Sequence, residues 1–347
     1  MPTNGPTVRD VARHAGVSVA SVSRALNGIK TVRPDVRKLV EDAARELGYV
    51  PHAGARNLSL QRSGAVGVAL PDLHGEYFSE LVRGLHQAAL DHGTQLLLSN
   101  VPQDPERAVE ALNHLRGRVD ALVILAPHLD PDCLLRNLSP NLPTVLLNGA
   151  PHKRNVHELR LDNYAGAQAM VQHLHDRGCY DLVHIAGPAG NIEAQERQRG
   201  FLESCAELGI NGRILAGDFS EEAGAAAASE IIASRLTTDG IFAANDMMAI
   251  GAMTVLKSHG IALPDDMALA GFDDIPLARL VTPALTTIRV DIAGMGKRAM
   301  AVLFQDDPKD RVNTPILEWK IPELIARETT TRVNPRTDPS AAAHNNP

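Results

Sequence analysis

Apolar residues in the first fifty positions recur at helical spacing in three short bursts. Val8, Val11 and Ala12 share one face behind Thr7, a good N-cap, until Ala15-Gly16-Val17 breaks the run. Ser18 can cap a second helix, Val19 to Leu26, across a gap of only a few residues that includes a glycine. A third begins at Arg33-Pro34-Asp35, with proline in the first helical position and an acid in the first turn. Its apolar residues Val36, Leu39, Val40, Ala43, Ala44 and Leu47 keep one face, and Gly48 ends it. The first two helices have helix-turn-helix spacing, which any tight helical hairpin also satisfies.

From Ala65 the pattern changes. Continuous apolar runs predict strands at Val66 to Leu70, Gln95 to Leu98, Ala121 to Leu125, Thr144 to Leu147, Leu182 to Ala186, Gly240 to Ala244 and Met267 to Gly271. Amphipathic stretches lie between most of them, such as Glu76 to His92, Ala165 to Arg177 and Met247 to His259. Strands apolar on both faces and interleaved with helices imply parallel sheets covered on each side, with ligands bound beyond the carboxyl ends of the strands. The end of the chain, Arg332 to Pro347, is rich in Pro, Asn, Ala and Thr, has no leucine heptad, and is expected to be disordered.

Charge sharpens the division. Residues 1 to 60 hold nine Lys or Arg against five acids, +4 of a net charge of −7, so the rest of the chain stands at −11. A basic head on an acidic body confines phosphate affinity to one end. No run of 18 uncharged apolar residues exists, and the first residues lack the basic and apolar regions of a signal peptide, so a cytoplasmic protein with no membrane contact is expected. Cys133, Cys179 and Cys205 lie far apart and read as reduced thiols. No G-x-S-x-G elbow, phosphate loop or HExxH is present, and His173 and His175 sit two apart on a predicted helix, facing different ways. No catalytic, metal or cofactor site is expected.

Four strings in register carry a family resemblance: Thr7-Val8-Arg9-Asp10-Val11-Ala12, Ala15-Gly16-Val17-Ser18, Ser21-Val22-Ser23-Arg24-Ala25-Leu26-Asn27, and Leu47-Gly48-Tyr49-Val50-Pro51. The head they form closely resembles that of the lactose-repressor/galactose-repressor family. The resemblance implies that the second helix enters the major groove with Val19, Ala20 and Arg24 at base edges. Ser18, Ser21 and Ser23 would lie on or near phosphates, and Thr7, Asn27 and Arg56 complete the DNA-contacting set. The chemistry suits this: arginine can grip guanine O6 and N7, small apolar groups meet a thymine methyl, and hydroxyls position the backbone. A plain phosphate contact is the alternative for Arg24, and core packing is the role read for Val22 and Ala25. Residues 51–62 resemble the family hinge, with Leu58 as an apolar wedge for a minor-groove base step. His52, where the family commonly has asparagine, and Gly54 depart from that pattern, and the glycine lowers the stability of an ordered hinge helix.

The body resembles the family's sensing region through Asp162-Asn163 with Gly166, Arg197-Gln198-Arg199-Gly200-Phe201, Ala244-Asn245-Asp246, and Gly271-Phe272-Asp273-Asp274 leading to Thr282–Ile288. By that resemblance the effector pocket takes Arg197, Asn245 and Asp273, with Asp162, and with Tyr77, Phe78 and Phe219 as aromatic surfaces for a sugar or a purine. Helix capping is the alternative for Asp162 and Asp246, and core packing for Phe78. The resulting expectation is a small all-α helix-turn-helix head plus an α/β two-lobed periplasmic-binding-protein-like body with parallel sheets. Its parts are a DNA-binding domain over 1–50, a hinge over 51–62, an effector-binding and dimerisation domain over 63–331, and a tail over 332–347. Function is expected to be that of a repressor: a homodimer on double-stranded palindromic operator DNA, controlled by a small-molecule effector of carbohydrate type, or alternatively by a purine-like co-repressor or a protein partner.

Overall fold

The computed structural model describes residues 5–27, 32–50, 63–72, 75–136, 138–150, 152, 156–234, 237–304 and 316–331. The chain divides into two units, Met1–Gly64 and Ala65–Pro347. Residues 51–62, including Arg56 and Leu58, and the tail 332–347 lie outside the described residues.

The head contains α1 (Val8–His14), α2 (Val19–Leu26) and α3 (Pro34–Glu46). The Asp10 carboxylate accepts from both the backbone N–H and the hydroxyl of Thr7, at 2.9 and 2.7 Å, and so ties down the start of α1. Ser18 Oγ accepts from Ser21 N at 3.1 Å and starts α2, and Pro34 opens α3. Gly16, between α1 and α2, has φ +64°, a conformation that an L side chain strains to adopt. Val11, Val22 and Val40, one from each helix, are fully buried and pack with Ala12, Ala15, Ala25, Ala43 and Ala44. Small side chains throughout let three short helices approach closely.

The body begins with β1 (Ala65–Leu70), α4 (Glu76–Asp91), β2 (Gln95–Asn100), α5 (Pro105–Leu115), β3 (Ala121–Leu125), α6 (Pro131–Arg136), β4 (Thr144–Leu147) and β5 (His157–Leu161). It continues with α7 (Asn163–Asp176), β6 (Asp181–Ile185), α8 (Ile192–Leu208), β7 (Asn211–Leu215), α9 (Glu221–Ser234), β8 (Gly240–Ala243), α10 (Asp246–Ser258) and β9 (Ala268–Ala270). It closes with β10 (Thr287–Arg289), α11 (Ile292–Leu303), β11 (Leu317–Lys320) and β12 (Glu323–Ile325). One lobe is built on a parallel sheet of order β11-β5-β4-β3-β1-β2, the other on a parallel sheet of order β7-β6-β8-β9, with β10 and β12 as an antiparallel pair. The chain passes between lobes from β5 to α7, from β10 to α11 and from β11 to β12. One apolar cluster runs on through these crossings, from Val66 and Val68 through Ile288, Val290 and Ile292 to Leu182 and Phe242. At Gly84 of α4 a Cβ would fall 2.0 Å from the Ala293 carbonyl oxygen, so α4 and α11 meet backbone to backbone only because that position has no side chain.

The expected strands are present to within a residue or two. Several further strands, β5, β7, β11 and β12, arise from sequences with charged residues, such as His157-Glu-Leu-Arg-Leu161 and Leu317-Glu-Trp-Lys320. In β5, Glu158 and Arg160 alternate with the buried Leu159 and Leu161, and Arg160 Nε meets Glu158 Oε1 at 2.6 Å, so the charges neutralise each other within the sheet. Cys133 is half-buried and Cys179 and Cys205 are buried, all as free thiols. Among the described residues no helix is long and apolar enough to cross a membrane.

Candidate functional site

On α2, Val22 and Ala25 face the head's core while Val19, Ala20 and Arg24 are exposed on the opposite side. Among the described residues Arg24 has no hydrogen-bond or ion-pair partner, unlike Arg13, Arg33 and Arg45, which pair with Asp10, Asp35 and Asp42. A solvated guanidinium beside small side chains leaves the helix free to lie close against another surface. Ser18 and Ser21 flank the helix start with their hydroxyls 2.9 Å apart, and Ser23 Oγ accepts from Asn27 Nδ2 at 3.4 Å. Thr7 is engaged by Asp10 as described. The expected DNA-reading residues of α2 therefore share one side, and that side is not the one that holds the head together.

Between the lobes a polar cluster centres on Arg197, which α8 presents almost completely buried. Its Nε donates to Asn163 Oδ1 at 2.8 Å, Nη1 donates to the carbonyl of Ala244, and Nη2 lies 3.5 Å from Asp273 Oδ1 and 3.9 Å from Glu193 Oε1. The guanidinium carbon sits 3.8 Å from the Phe272 ring centre and 5.8 Å from that of Phe219. From the first lobe, Asn148 reaches across: its Nδ2 donates to Glu193 Oε1 at 2.8 Å while its Oδ1 accepts from Leu161 N at 2.9 Å. Tyr77, at the start of α4, places its hydroxyl in the same cluster, edge-on to Phe78 at 5.5 Å.

Backbone conformation marks the same place. Asn148, Phe219 and Asp273 all have positive φ, 48°, 74° and 111°, which is strained for residues with side chains and tends to concentrate at binding sites. Each is over-determined by its neighbours. Asn245 caps α10 by accepting from Met248 N at 2.9 Å and also donates from Nδ2 to the Phe219 carbonyl at 2.9 Å, holding that ring over the cluster. Asp246 fixes the loop that carries Asp273: Oδ2 accepts from Ile275 N at 2.9 Å and Oδ1 from the Thr287 hydroxyl at 2.5 Å. Asp162 caps α7 through Ala165 N at 2.9 Å. The structure thus gathers Tyr77, Arg197, Phe219 and Asp273 into one cluster, while Asn245 and Asp162 also cap helices beside it and Phe78 packs against the apolar cluster.

Two buried polar atoms in this cluster have no hydrogen-bond partner among the described residues, Tyr77 Oη and Asp273 Oδ1. An unsatisfied buried polar atom is costly unless a ligand or water completes it. Burial pushes the Asp273 carboxyl up to about 7, against the pull of Arg197 and with the help of the Glu193 charge. Burial likewise raises Glu193, and raises the Tyr77 phenol well above its ordinary value. His184, stacked on Phe201 at 5.1 Å and bonded through Nδ1 to the Phe242 carbonyl, is driven down to about 4 by burial. Asn148, Glu193 and His184 were not singled out from the sequence; a positive φ on a non-glycine residue after β4 is visible only in the folded chain.

These shifts have opposite consequences for stability. The protonated Asp273 is favoured on folding, so its contribution is complete below 3.8 and is lost as pH rises through about 7. Neutral His184 is favoured, so its contribution is complete above 6.5 and is lost as pH falls through about 4. Asp273→Asn removes the first and leaves the second. Between pH 5 and 7 the variant is expected to gain on the wild type by about 2 to 3 kcal/mol, at about 1.4 kcal/mol per pH unit for one proton. Thermal unfolding of both proteins across that range measures it; parallel pH profiles would show that Asp273 does not exchange its proton on folding.

A helix-turn-helix head on a two-lobed α/β body, with a strained polar cluster between the lobes, defines a DNA-binding regulator that senses a ligand. Residues 7–52 match the lacI family of bacterial regulatory proteins, and residues 171–330 match the periplasmic binding protein-like domain. The chain is 34% identical to the ribose operon repressor of Halalkalibacterium halodurans, over 93% of this chain and 97% of that one. It is 29% identical to the HTH-type transcriptional repressor PurR of Pasteurella multocida, over 93% and 98%. The lac repressor dimer, solved with operator and the anti-inducer ONPF, superposes with a TM-score of 0.85 at 26% identity, covering 95% of this chain and all of that one. The chain belongs to the lacI family of bacterial regulatory proteins, and it is a transcriptional repressor, not an enzyme.

Proposed function

We propose that the protein is a homodimeric, cytoplasmic repressor that grips a palindromic operator with α2 of each head and releases it when a neutral sugar enters the space between the lobes. On the DNA, Val19, Ala20 and Arg24 read base edges, Thr7, Ser18, Ser21, Ser23 and Asn27 position the backbone, and Arg56 and Leu58 act in the hinge over 51–62. The effector site is that of Tyr77, Arg197, Phe219 and Asp273, on the body that spans 63–331. The observation that carries the sugar reading is the pair of buried oxygens that make no hydrogen bond among the described residues, Tyr77 Oη and Asp273 Oδ1, beside aromatic faces. A hydroxyl both donates and accepts, so the hydroxyls of a sugar can satisfy both the carboxylate oxygen and the phenol, while the C–H face of the ring lies on Phe219. Two buried carboxylates, Glu193 and Asp273, disfavour an anionic effector.

The test is a titration of the full chain on its own operator with neutral sugars, phosphorylated sugars and nucleobases. A neutral sugar is expected to weaken operator binding, and linkage requires operator to weaken that sugar's binding by the same factor, typically about 5- to 150-fold. Asp273→Asn is expected to blunt the response about tenfold. A nucleobase that tightens operator binding would make the molecule a purine-controlled repressor instead, and a panel without effect would point to a protein partner.

A further inference from the structure

Just outside the Arg197 cluster, where the chain passes from β5 into α7, lies a cavity of about 540 Å3, within the size range of small-molecule sites. Its walls come from both lobes: Asn148 and Arg160 from the first, Tyr164 at the start of α7, Glu193 and Arg199 from α8, and Trp319 from the edge strand β11. Asn148 and Glu193 belong to the cluster as well, joined by a 2.8 Å bond, so the cavity and the cluster share these two residues.

The chemistry of the walls selects a ligand type. Both guanidiniums are already neutralised: Arg160 makes a bidentate pair with Glu158, at 2.6 and 2.9 Å, and Arg199 Nη2 meets Glu196 Oε2 at 2.6 Å. Each also lies over an aromatic ring, Arg160 5.6 Å from the Trp319 centre and Arg199 4.0 Å from the Tyr164 centre. Glu193 and Glu196 add negative charge, so no free cation waits for a phosphate. What remains is two aromatic rings at the edge of a space lined by hydrogen-bond acceptors. Trp319 is the one tryptophan in the chain, and it is 52% exposed on the edge strand β11.

We propose that this cavity is a second saccharide subsite, continuous with the first, so that the effector is a neutral disaccharide or longer glycan rather than a monosaccharide. The inference rests on the sugar reading of the Arg197 cluster. One unit meets Arg197, Asp273 and Tyr77. The next unit lies against Trp319 and Tyr164, with its hydroxyls donating to Glu193 and Glu196. A glycosidic link between the two replaces the Asn148–Glu193 bond, freeing the amide to donate to a sugar oxygen and the carboxylate to accept from a hydroxyl. Opening that bond removes a contact between the lobes and couples occupancy of the outer subsite to lobe angle.

The lone tryptophan makes the subsite directly observable. Cellobiose, maltose and lactose are titrated alongside glucose, galactose and ribose, following Trp319 emission, calorimetric affinity and operator release in the full chain. One disaccharide is expected to bind about tenfold tighter than its constituent monosaccharide and to shift Trp319 emission at saturation, while the monosaccharide leaves emission unchanged. Trp319→Ala should bring the disaccharide down to the monosaccharide's affinity by calorimetry, and Trp319→Phe, which keeps a stacking face in the same strand, should restore most of the difference. Equal affinities with unchanged emission, in a protein whose operator binding a monosaccharide still relieves, would overturn the subsite and leave the sugar reading intact. Adenosine moving Trp319 emission where every disaccharide fails would overturn the saccharide assignment. A panel in which no sugar shifts operator binding or melting would remove the underlying reading and the subsite together.

Discussion

Replacing Arg24 with alanine is expected to cost about 1 to 3 kcal/mol of operator binding in each half-site, hence about 2 to 6 kcal/mol for two heads on one palindrome. The expectation follows from how α2 is held. Val22 and Ala25 are buried at 0% and 2% exposure and fix the rotation of the helix, so the exposed side carrying Arg24 is determined by packing and not by any contact Arg24 makes. Truncating it therefore leaves the head folded, and the loss falls on the complex. A bidentate grip on one guanine would appear as relaxed preference at a single base pair in each half-site, with random DNA affected only by the loss of one charge. Mobility-shift titrations of wild type, Arg24→Ala and Arg24→Lys against operator, operators changed one base pair at a time, and random DNA distinguish the outcomes. Lysine carries the charge without the planar fork, so it should restore salt-dependent affinity but not the base preference. Equal losses on operator and random DNA would make Arg24 a phosphate contact.

The head and the body were legible in the sequence to different degrees, for reasons that lie in their packing. Strands buried on both faces, such as Ala121–Leu125, announce themselves as apolar runs because nothing polar can sit there. Strands at sheet edges and lobe crossings do not: Asn211–Leu215 is half exposed along its length, and in His157–Leu161 the buried Glu158 and half-buried Arg160 look like surface residues until they are seen to pair. The site shows the same split. Arg197, Phe219 and Asp273 were found through strings shared with a family. Glu193 was not, because an acid in the first turn of a helix is ordinary, and its bond to Asn148 spans 45 positions. Asn245 and Asp162, expected as ligand contacts, each cap a helix as well, through Met248 N and Ala165 N. Asp246 illustrates the reverse: it sits inside α10, bonds the next loop instead of capping, and so positions Asp273.

The largest loss of stability is expected at Arg197. Its guanidinium is the cation facing two buried carboxylates, Asp273 and Glu193, and it also donates to Asn163 and Ala244 while lying flat on Phe272. Removing one partner of a buried charged cluster costs about 3 to 5 kcal/mol, because the charges left behind remain desolvated. For Arg197→Ala the penalty should depend on pH in a definite direction. Arg197 opposes the burial that lifts Asp273 to about 7, so without it the carboxyls take up protons at still higher pH. At pH 5 Asp273 is already protonated in the wild type and less is lost; above pH 7 the wild type keeps an ion pair that the variant cannot form, and the gap widens. The pair can be separated from the packing term with Asp273→Asn: in the double variant no ionised Asp273 is stranded, so its stability above pH 7 should exceed that of Arg197→Ala alone by about 1 to 3 kcal/mol. Urea unfolding of the four proteins at pH 5 and pH 8 completes the cycle. A loss for Arg197→Ala below about 1 kcal/mol, or one that is the same at both pH values, would mean that the cluster opens to water and that the carboxylates are not held in a dry site.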